Sequence, residues 1–477
     1  MEEAPPLAHE LPAPARGGDA SRLSHGGEAA PTPPHSPRRR FYRNVAWTVM
    51  ARLLMLAGSL VSSIVVARVL GAEGLGALAV INVTMALALQ LGCAGLPSAN
   101  TYFIALDRGR LAPLWANALL FGLSAGSTLA LIVAGLSVLR PDLFGGVPLN
   151  LILIAALSIP FQLVTFLGLN VFLGIERIAH FNLLDALSQF LVLVNAVVAL
   201  IVLGSGLRTL VALNTAASVL ICAAVVWMIG RVIAGEGERQ RFRPDTELFK
   251  QMARYGVKFH VAVVASLIIF RADLLIVNHF RGQAEAGSYN VASQMAMLLV
   301  MLPGVIATLI FPRVTSGQGA TGEQLIMRAT RHTAFIMFFV CLVAVPCAFL
   351  LPYIYGPAFG DVPVQLLILL PGIYLVGVES VLVQYFSGTG LPAAIPLFWL
   401  VTLLLNILLN LSLVPAYGAR AAALSSTISY ALIFLLVTFY FRRRTGQGLS
   451  GTFILRGGEL RGLFKHDRRS STAGQES

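Results

Sequence analysis

One apolar stretch constrains this chain more than any other, because it carries charges where a membrane span should carry none. Tyr255 to Phe280 reads YGVKFHVAVVASLIIFRADLLIVNHF. As a helix it would rise about 39 Å, at about 1.5 Å per residue. That spans a hydrocarbon core of about 30 Å. Arg271 and Asp273 sit well inside it, and Lys258 lies near its start. A charge at that depth costs at least about 2.5–3.5 kcal/mol. It persists where it faces a partner, a wet cavity or a bound solute.

The stretch is one of twelve such runs: 45–69, 76–104, 112–138, 149–173, 180–204, 208–234, 255–280, 287–312, 332–356, 363–387, 393–415 and 418–441. Only 12% of residues are charged and 57% are hydrophobic, whereas a soluble chain carries about 25% charged residues. The net charge of +12 gathers at the ends of runs, so it does not point to nucleic acid. The expectation is an all-α polytopic membrane protein of about twelve transmembrane helices. Residues 1–43 read as a disordered tail with no apolar segment of the signal-peptide kind. Residues 44–234 form a first six-helix bundle, 235–254 a basic linker, 255–441 a second six-helix bundle, and 442–477 a basic tail. Alternate loops are rich in arginine and lysine: Arg40, Arg43, Arg108, Arg110, Arg241, Arg243, Arg328 and Arg443 fall on one side. Few fall on the other, and this bias predicts both termini in the cytoplasm.

The halves repeat weakly at a spacing of 211–215 residues. Gly71-Ala-Glu73-Gly-Leu-Gly76 follows the first run, and Gly282-Gln-Ala-Glu285-Ala-Gly287 follows the seventh. Leu173-Gly174 matches Ser387-Gly388, and Asn195 matches Asn410. The first and seventh runs point the same way. The repeats are therefore parallel, related by a pseudo-two-fold along the membrane normal, with a central cavity between bundles.

The polar residues within the runs are the candidate site. Arg52 lies in the first run, Asp185 in the fifth, Arg271 and Asp273 in the seventh and Glu379 in the tenth. Arg271 and Asp273 are two apart and do not face each other on a regular helix. Two readings stand. The charges pair between helices for assembly, or the arginines bind an anionic head group while Asp185, Asp273 and Glu379 balance charge or carry a coupling ion. A guanidinium fork suits phosphate oxygens. Polar stripes add Asn182, Asp185 and Gln189 in the fifth run, Trp399, Thr402, Asn406 and Asn410 in the eleventh, and Asn82 and Gln90 in the second. Such stripes either bind helix to helix or line a hydrophilic cavity. The mixture of aromatic and amide groups around Trp399, Asn406 and Asn410 suits sugar rings. Pro160, Pro303, Pro346 and Pro371 lie inside runs, where they bend helices, as a protein that rocks between two openings needs.

Neither G-x-x-x-x-G-K-[ST] nor H-E-x-x-H occurs, so ATP-driven transport by this chain alone is excluded. Cys93, Cys222, Cys341 and Cys347 all lie in apolar runs and read as small buried residues. No cofactor, metal or catalytic residue is expected.

These features resemble the multidrug/oligosaccharidyl-lipid/polysaccharide exporter superfamily, and within it the polysaccharide-biosynthesis flippases of the O-antigen and exopolysaccharide type. The resemblance covers residues 40–445. It is carried by Ala67-Arg-Val-Leu-Gly-Ala-Glu-Gly-Leu-Gly76, Leu91-Gly-Cys-Ala-Gly-Leu-Pro97, Phe270-Arg-Ala-Asp273, Ala286-Gly-Ser-Tyr289, Phe386-Ser-Gly-Thr-Gly390 and Val414-Pro-Ala-Tyr-Gly-Ala-Arg-Ala-Ala-Ala423. It implies a bacterial inner-membrane protein that moves an undecaprenyl-diphosphate-linked oligosaccharide between leaflets, with Arg52 and Arg271 attracting the diphosphate or acidic sugars. A polysaccharide polymerase and chain-length machinery are the implied partners, beside membrane lipids. The turn Gly388-Thr-Gly-Leu-Pro392 lacks the basic residue often found there in the family. A cation-coupled small-molecule exporter is the alternative, followed by a membrane-embedded transferase or ligase.

Overall fold

The computed structural model describes the backbone of residues 37–235, 242–316, 320–388 and 392–446. Within these, side chains are described from residue 54 onward, except at 258–259, 305–322 and 387–391. Residues 1–49 form one unit, described only as helical backbone from Pro37. Residues 50–477 form the other. The expected tails before residue 37 and after residue 446 lie outside the described residues.

The described residues form helices and no strand. In chain order the helices are α1 (Pro37–Gly92), α2 (Leu96–Leu106), α3 (Leu111–Leu139), α4 (Leu149–Ala156), α5 (Ile159–Gly174), α6 (Ile178–Val197) and α7 (Leu207–Gly235). The second half adds α8 (Thr246–Arg281), α9 (Gln283–Ser316), α10 (Ala320–Ala348), α11 (Leu351–Tyr355), α12 (Val362–Gly388) and α13 (Ala394–Thr445). Among the described residues, nine helical stretches are long and apolar enough to cross a membrane. Two of them hold a glycine bend. In α1 Gly71 takes φ 70, ψ −170, and in α13 Gly418 takes φ 65, ψ −145, conformations that a Cβ disfavours. Divided at those bends and taken with α9, the stretches are consistent with the twelve apolar runs.

Three runs expected as single spans are each a pair of helices. Run 76–104 breaks where Ala94 (φ 46) and Gly95 (φ 74) turn left-handed, and Pro97 restarts it in the first turn of α2. Run 149–173 breaks at Leu157 and Ser158, with Pro160 in the first turn of α5. Proline lacks an N–H and fixes φ, so it sits without penalty at a helix start and not in its interior. Run 332–356 also divides: α10 starts earlier, at Ala320, and ends two residues beyond Pro346, before α11.

The expected linker 235–254 contains the start of α8. Asp245 caps that helix, accepting from the N–H groups of Glu247 (2.9 Å) and Leu248 (3.0 Å), as an N-cap aspartate does. Asn117 of α3 clasps the Asp245 backbone from both sides, at 2.8 and 2.9 Å. Leu248 and Met252 then pack into the first-half core with Trp115, Phe172, Val225 and Ile229. The chain thus crosses between halves through a helix anchored on the first.

Candidate functional site

The duplicated glycine motifs touch each other. A Cβ on Gly76 would overlap the Gln283 carbonyl, and a Cβ on Gly287 would overlap the Ala72 carbonyl. Ala72 and Gln283 are related by the same 211-residue offset as Gly76 and Gly287, so one contact is made twice about a pseudo-two-fold. A second pair of contacts repeats the pattern. Arg68 donates to the carbonyls of Tyr353 and of Ile354 (2.7 Å). His279, its counterpart at the same offset, binds the carbonyl of Asp142, the counterpart of Tyr353, at 2.7 Å. Asn278 adds a bond to the Phe144 carbonyl at 2.9 Å. The receiving turns are Pro141-Asp-Leu-Phe-Gly145 and Pro352-Tyr-Ile-Tyr-Gly356, each ending on a positive-φ glycine, φ 53 and φ 119. About 29 Å further along the helix, by its rise, Gly95 and Gly256 meet so closely that a Cβ on either would overlap the other's backbone.

Between these contacts lies a cavity of about 720 Å³. Ser59, Ser62 and Asn82 of α1 line it with Gln162 of α5, Asp185 and Gln189 of α6 and Asn214 of α7. The second half contributes Arg271 of α8 and Asn290 and Gln294 of α9. Gln294 donates to the Ser59 hydroxyl at 3.3 Å, joining the halves across the cavity. Among the described lining residues Arg271 is the one cation and Asp185 the one carboxylate. The Ser63 hydroxyl meets that of Tyr355, Thr165 meets the Cys222 thiol, and the side-chain oxygen of Gln294 is buried without a described protein partner. The side chains of Ser59, Ser62, Asn82, Gln189 and Asn214 give this wall hydrogen-bonding capacity to offer a polar solute.

Of the sequence-predicted residues, the structure brings Asn82, Asp185, Gln189 and Arg271 to this cavity. The side chain of Arg52 lies outside the described residues. Asp273 is buried on the other side of its helix from Arg271, as a spacing of two requires. It accepts from the Tyr289 hydroxyl, from Ser426 (2.9 Å) and from its neighbouring N–H of Leu274 (2.8 Å). Glu379 is buried in α12, away from the cavity lining, and one of its carboxyl oxygens has no described partner. The stripe around Asn410 is interior as well. Asn406 donates to Ser429 at 3.1 Å, Asn410 to the Asn406 carbonyl at 2.9 Å, and Trp399 meets Phe270 edge-on at 6.2 Å. These groups tie the two segments of α13 and α8 together. They do not line the cavity, because the second half is filled at this level. Gln90 faces Cys93, its amide 3.7 Å from the sulfur. Cys347 differs from its expected burial and is exposed.

Sequence reasoning missed much of the wall. Ser158, Gln162 and Thr165 fall three and four apart, as do Asn214 and Ser218, and Asn290 and Gln294. That is the spacing that singled out α6, so the signal was present. The turns at Pro141 and Pro352 also shared the 211-residue offset.

A multi-pass helical membrane protein with an internal polar cavity, walled mainly by its first half and closed by Arg271, Asn290 and Gln294 of the second, is the class that this geometry defines. A family model described as polysaccharide biosynthesis protein matches residues 41–318, and the chain belongs to that family. It is 26% identical over 438 residues to the succinoglycan biosynthesis transport protein ExoT of Rhizobium meliloti, across 86% of this chain and 82% of that one. It is 25% identical to the probable flippase AglR of Haloferax volcanii over 167 residues, 34% of this chain, and so spans about a third (35%) of that relative's length. In fold it is similar to the lipid II flippase MurJ in an inward closed conformation, with a TM-score of 0.69 at 15% identity over 83% of this chain and 87% of that one. It is also similar to an inward-facing multidrug resistance MATE transporter, with a TM-score of 0.66 at 18% identity over 82% and 94%.

Proposed function

We propose that this chain translocates a lipid-linked oligosaccharide across the bacterial inner membrane by alternating access, for export of a surface or secreted polysaccharide. The supporting observation is the cavity, a hydroxyl- and amide-lined chamber within a membrane bundle, with one described arginine facing it. The polyprenyl part of such a cargo can stay in lipid, and its polar head is the physical problem. A wall of serines, asparagines and glutamines replaces the water that the sugars lose. Arg271, with Arg52 below it in the first span, attracts the diphosphate by charge-assisted hydrogen bonds. Asn82 and Gln189 contact sugar, and Asp185 balances charge. Asp273 and Glu379 act from within the second half, as structural or ion-coupling groups. Both termini are cytoplasmic, no covalent step is involved, and a polymerase receives the product.

The fold likeness to a MATE transporter favours a second reading, a cation-coupled exporter of small molecules. One experiment separates the two. A deletion strain is complemented with wild type or Arg271→Ala at matched membrane levels, and surface polysaccharide and inner-leaflet lipid-linked oligosaccharide are measured. The flippase reading expects the deletion to accumulate the lipid-linked intermediate, with Arg271→Ala restoring about a tenth of export or less. Unchanged polysaccharide in the deletion, with increased drug sensitivity, selects the exporter.

A further inference from the structure

We propose that a second, wholly apolar groove between α9 and α10 holds the isoprenoid tail of the cargo while its head occupies the polar cavity. The inference rests on the lipid-linked reading above. The groove has a volume of about 630 Å³. Its floor is Ala344 and Ala348, and Phe335 and Phe339 rise beside them from α10. Met295 and Leu299 of α9 form the facing wall. Phe339, Val343 and Cys347 are exposed, so a chain can enter sideways from the bilayer.

Three observations single out a tail that belongs to the cargo. The first is the shared helix. Asn290 and Gln294 of α9 face the polar cavity, while Met295 and Leu299 face the groove. A single helix separates the two sites. The second is depth. Met295 lies twelve residues into α9 and Arg271 ten residues before the end of α8. At about 1.5 Å per residue both sit roughly 15–18 Å from the same end of the bundle. A diphosphate at Arg271 and a chain at Met295 are thus at one level. The third is the internal repeat, which acts as a control. At the 211-residue offset, Phe335, Phe339, Ala348 and Met295 become Ser124, Thr128, Ser137 and Thr84. Each of those hydroxyls bonds a carbonyl of its own helix. Ala344 becomes Val133, which is buried and fills the floor. The phenyl ridges and the small-residue floor are therefore particular to the second half, while Leu129, Ile132 and Leu136 keep the matching face of the first half apolar without them.

In a bilayer such a groove gains nothing from the hydrophobic effect, since the chains it displaces are equally apolar, and selectivity rests on packing. A small-residue floor between phenyl ridges, with an adaptable methionine opposite, suits a methyl-branched chain better than a straight one.

The test uses the full chain in nanodiscs. A long-chain polyprenyl diphosphate with a diazirine in its tail is compared with a phosphatidylglycerol carrying the same group. Cross-linked residues are identified by mass spectrometry. The polyprenyl probe is expected to label residues 335–348 at least fivefold more than the phospholipid probe. Unlabelled polyprenyl diphosphate should compete and excess phospholipid should not. Ala344→Phe should lower that labelling, and a measurement free of substitutions accompanies it: polyprenyl diphosphate should slow maleimide alkylation of Cys347. Equal labelling by both probes overturns the proposal and makes the groove a site for bulk lipid. Specific polyprenyl labelling elsewhere in the chain also overturns it but leaves the cargo reading standing. No specific polyprenyl labelling anywhere overturns the cargo reading, and this proposal with it.

Discussion

The two halves follow one helical plan, yet one is hollow and the other is full. At the shared offset, Ser59, Ser62 and Leu78 of the first half correspond to Phe270, Asp273 and Tyr289 of the second. The first three line the cavity. The latter three form a packed interior in which Tyr289 bonds Asp273 and Phe270 packs edge-on to Trp399 and tilted against Tyr430. The backbone is alike at the matched glycines, Gly71 with φ 70 and Gly282 with φ 85. Side-chain volume, not topology, decided which bundle would enclose the polar space. The full half in turn carries its apolar groove on the outside, where the hollow half has Ser124 and Thr128.

The largest effect is expected from making the hollow half resemble the full one. Ser62→Asp combined with Leu78→Tyr places the second half's plug in the cavity wall. Export should fall at least tenfold with membrane abundance unchanged, and retained export would show that the cavity is not the route. Emptying the full half should act on stability instead. Asp273→Ala leaves the Tyr289 and Ser426 hydroxyls without their acceptor, at a cost of about 1–3 kcal/mol for each buried group left unpaired. Thermal unfolding in detergent should show the loss, with Asp273→Asn intermediate. Gly76→Val acts on the contact that both halves share. A side chain there cannot coexist with the Gln283 carbonyl, so that end should become more accessible to thiol reagents at neighbouring positions, and transport should slow several-fold. The smallest effect is expected from Arg68→Ala. It removes exposed hydrogen bonds to the Tyr353 turn and should raise the same accessibility by less than Gly76→Val, leaving stability within about 0.5 kcal/mol, as for most surface changes.

Much of this organisation was legible in the residues. The apolar runs predicted the helices, and the Gly71 and Gly282 motifs revealed the repeat whose contact the structure then displayed. Arg271 stood out because a cation deep in an apolar run demands an explanation. The breaks at Gly95 and Ser158 were harder, since a hydropathy window averages over a turn of one or two residues. The stripe of Trp399, Asn406 and Asn410 misled for a different reason. Polar residues at helical spacing mark a face, but whether that face meets water or another helix depends on the neighbour's volume. Here Phe270, Tyr430 and Ser429 fill or bond it.

The sequence by itself determined the class of molecule, the duplication of its helices, and the presence of charge that needed a partner. These follow from local chemistry: the length of an apolar run, the φ that only glycine tolerates, and the cost of an isolated ion in lipid. Only the tertiary structure decided which charges face the cavity. Arg271 and Asp273 are two residues apart on one helix, yet the first faces the cavity and the second is tied to Tyr289 and Ser426. Their spacing puts them on opposite faces of one helix; which of those faces meets the cavity is settled by the residues packed opposite.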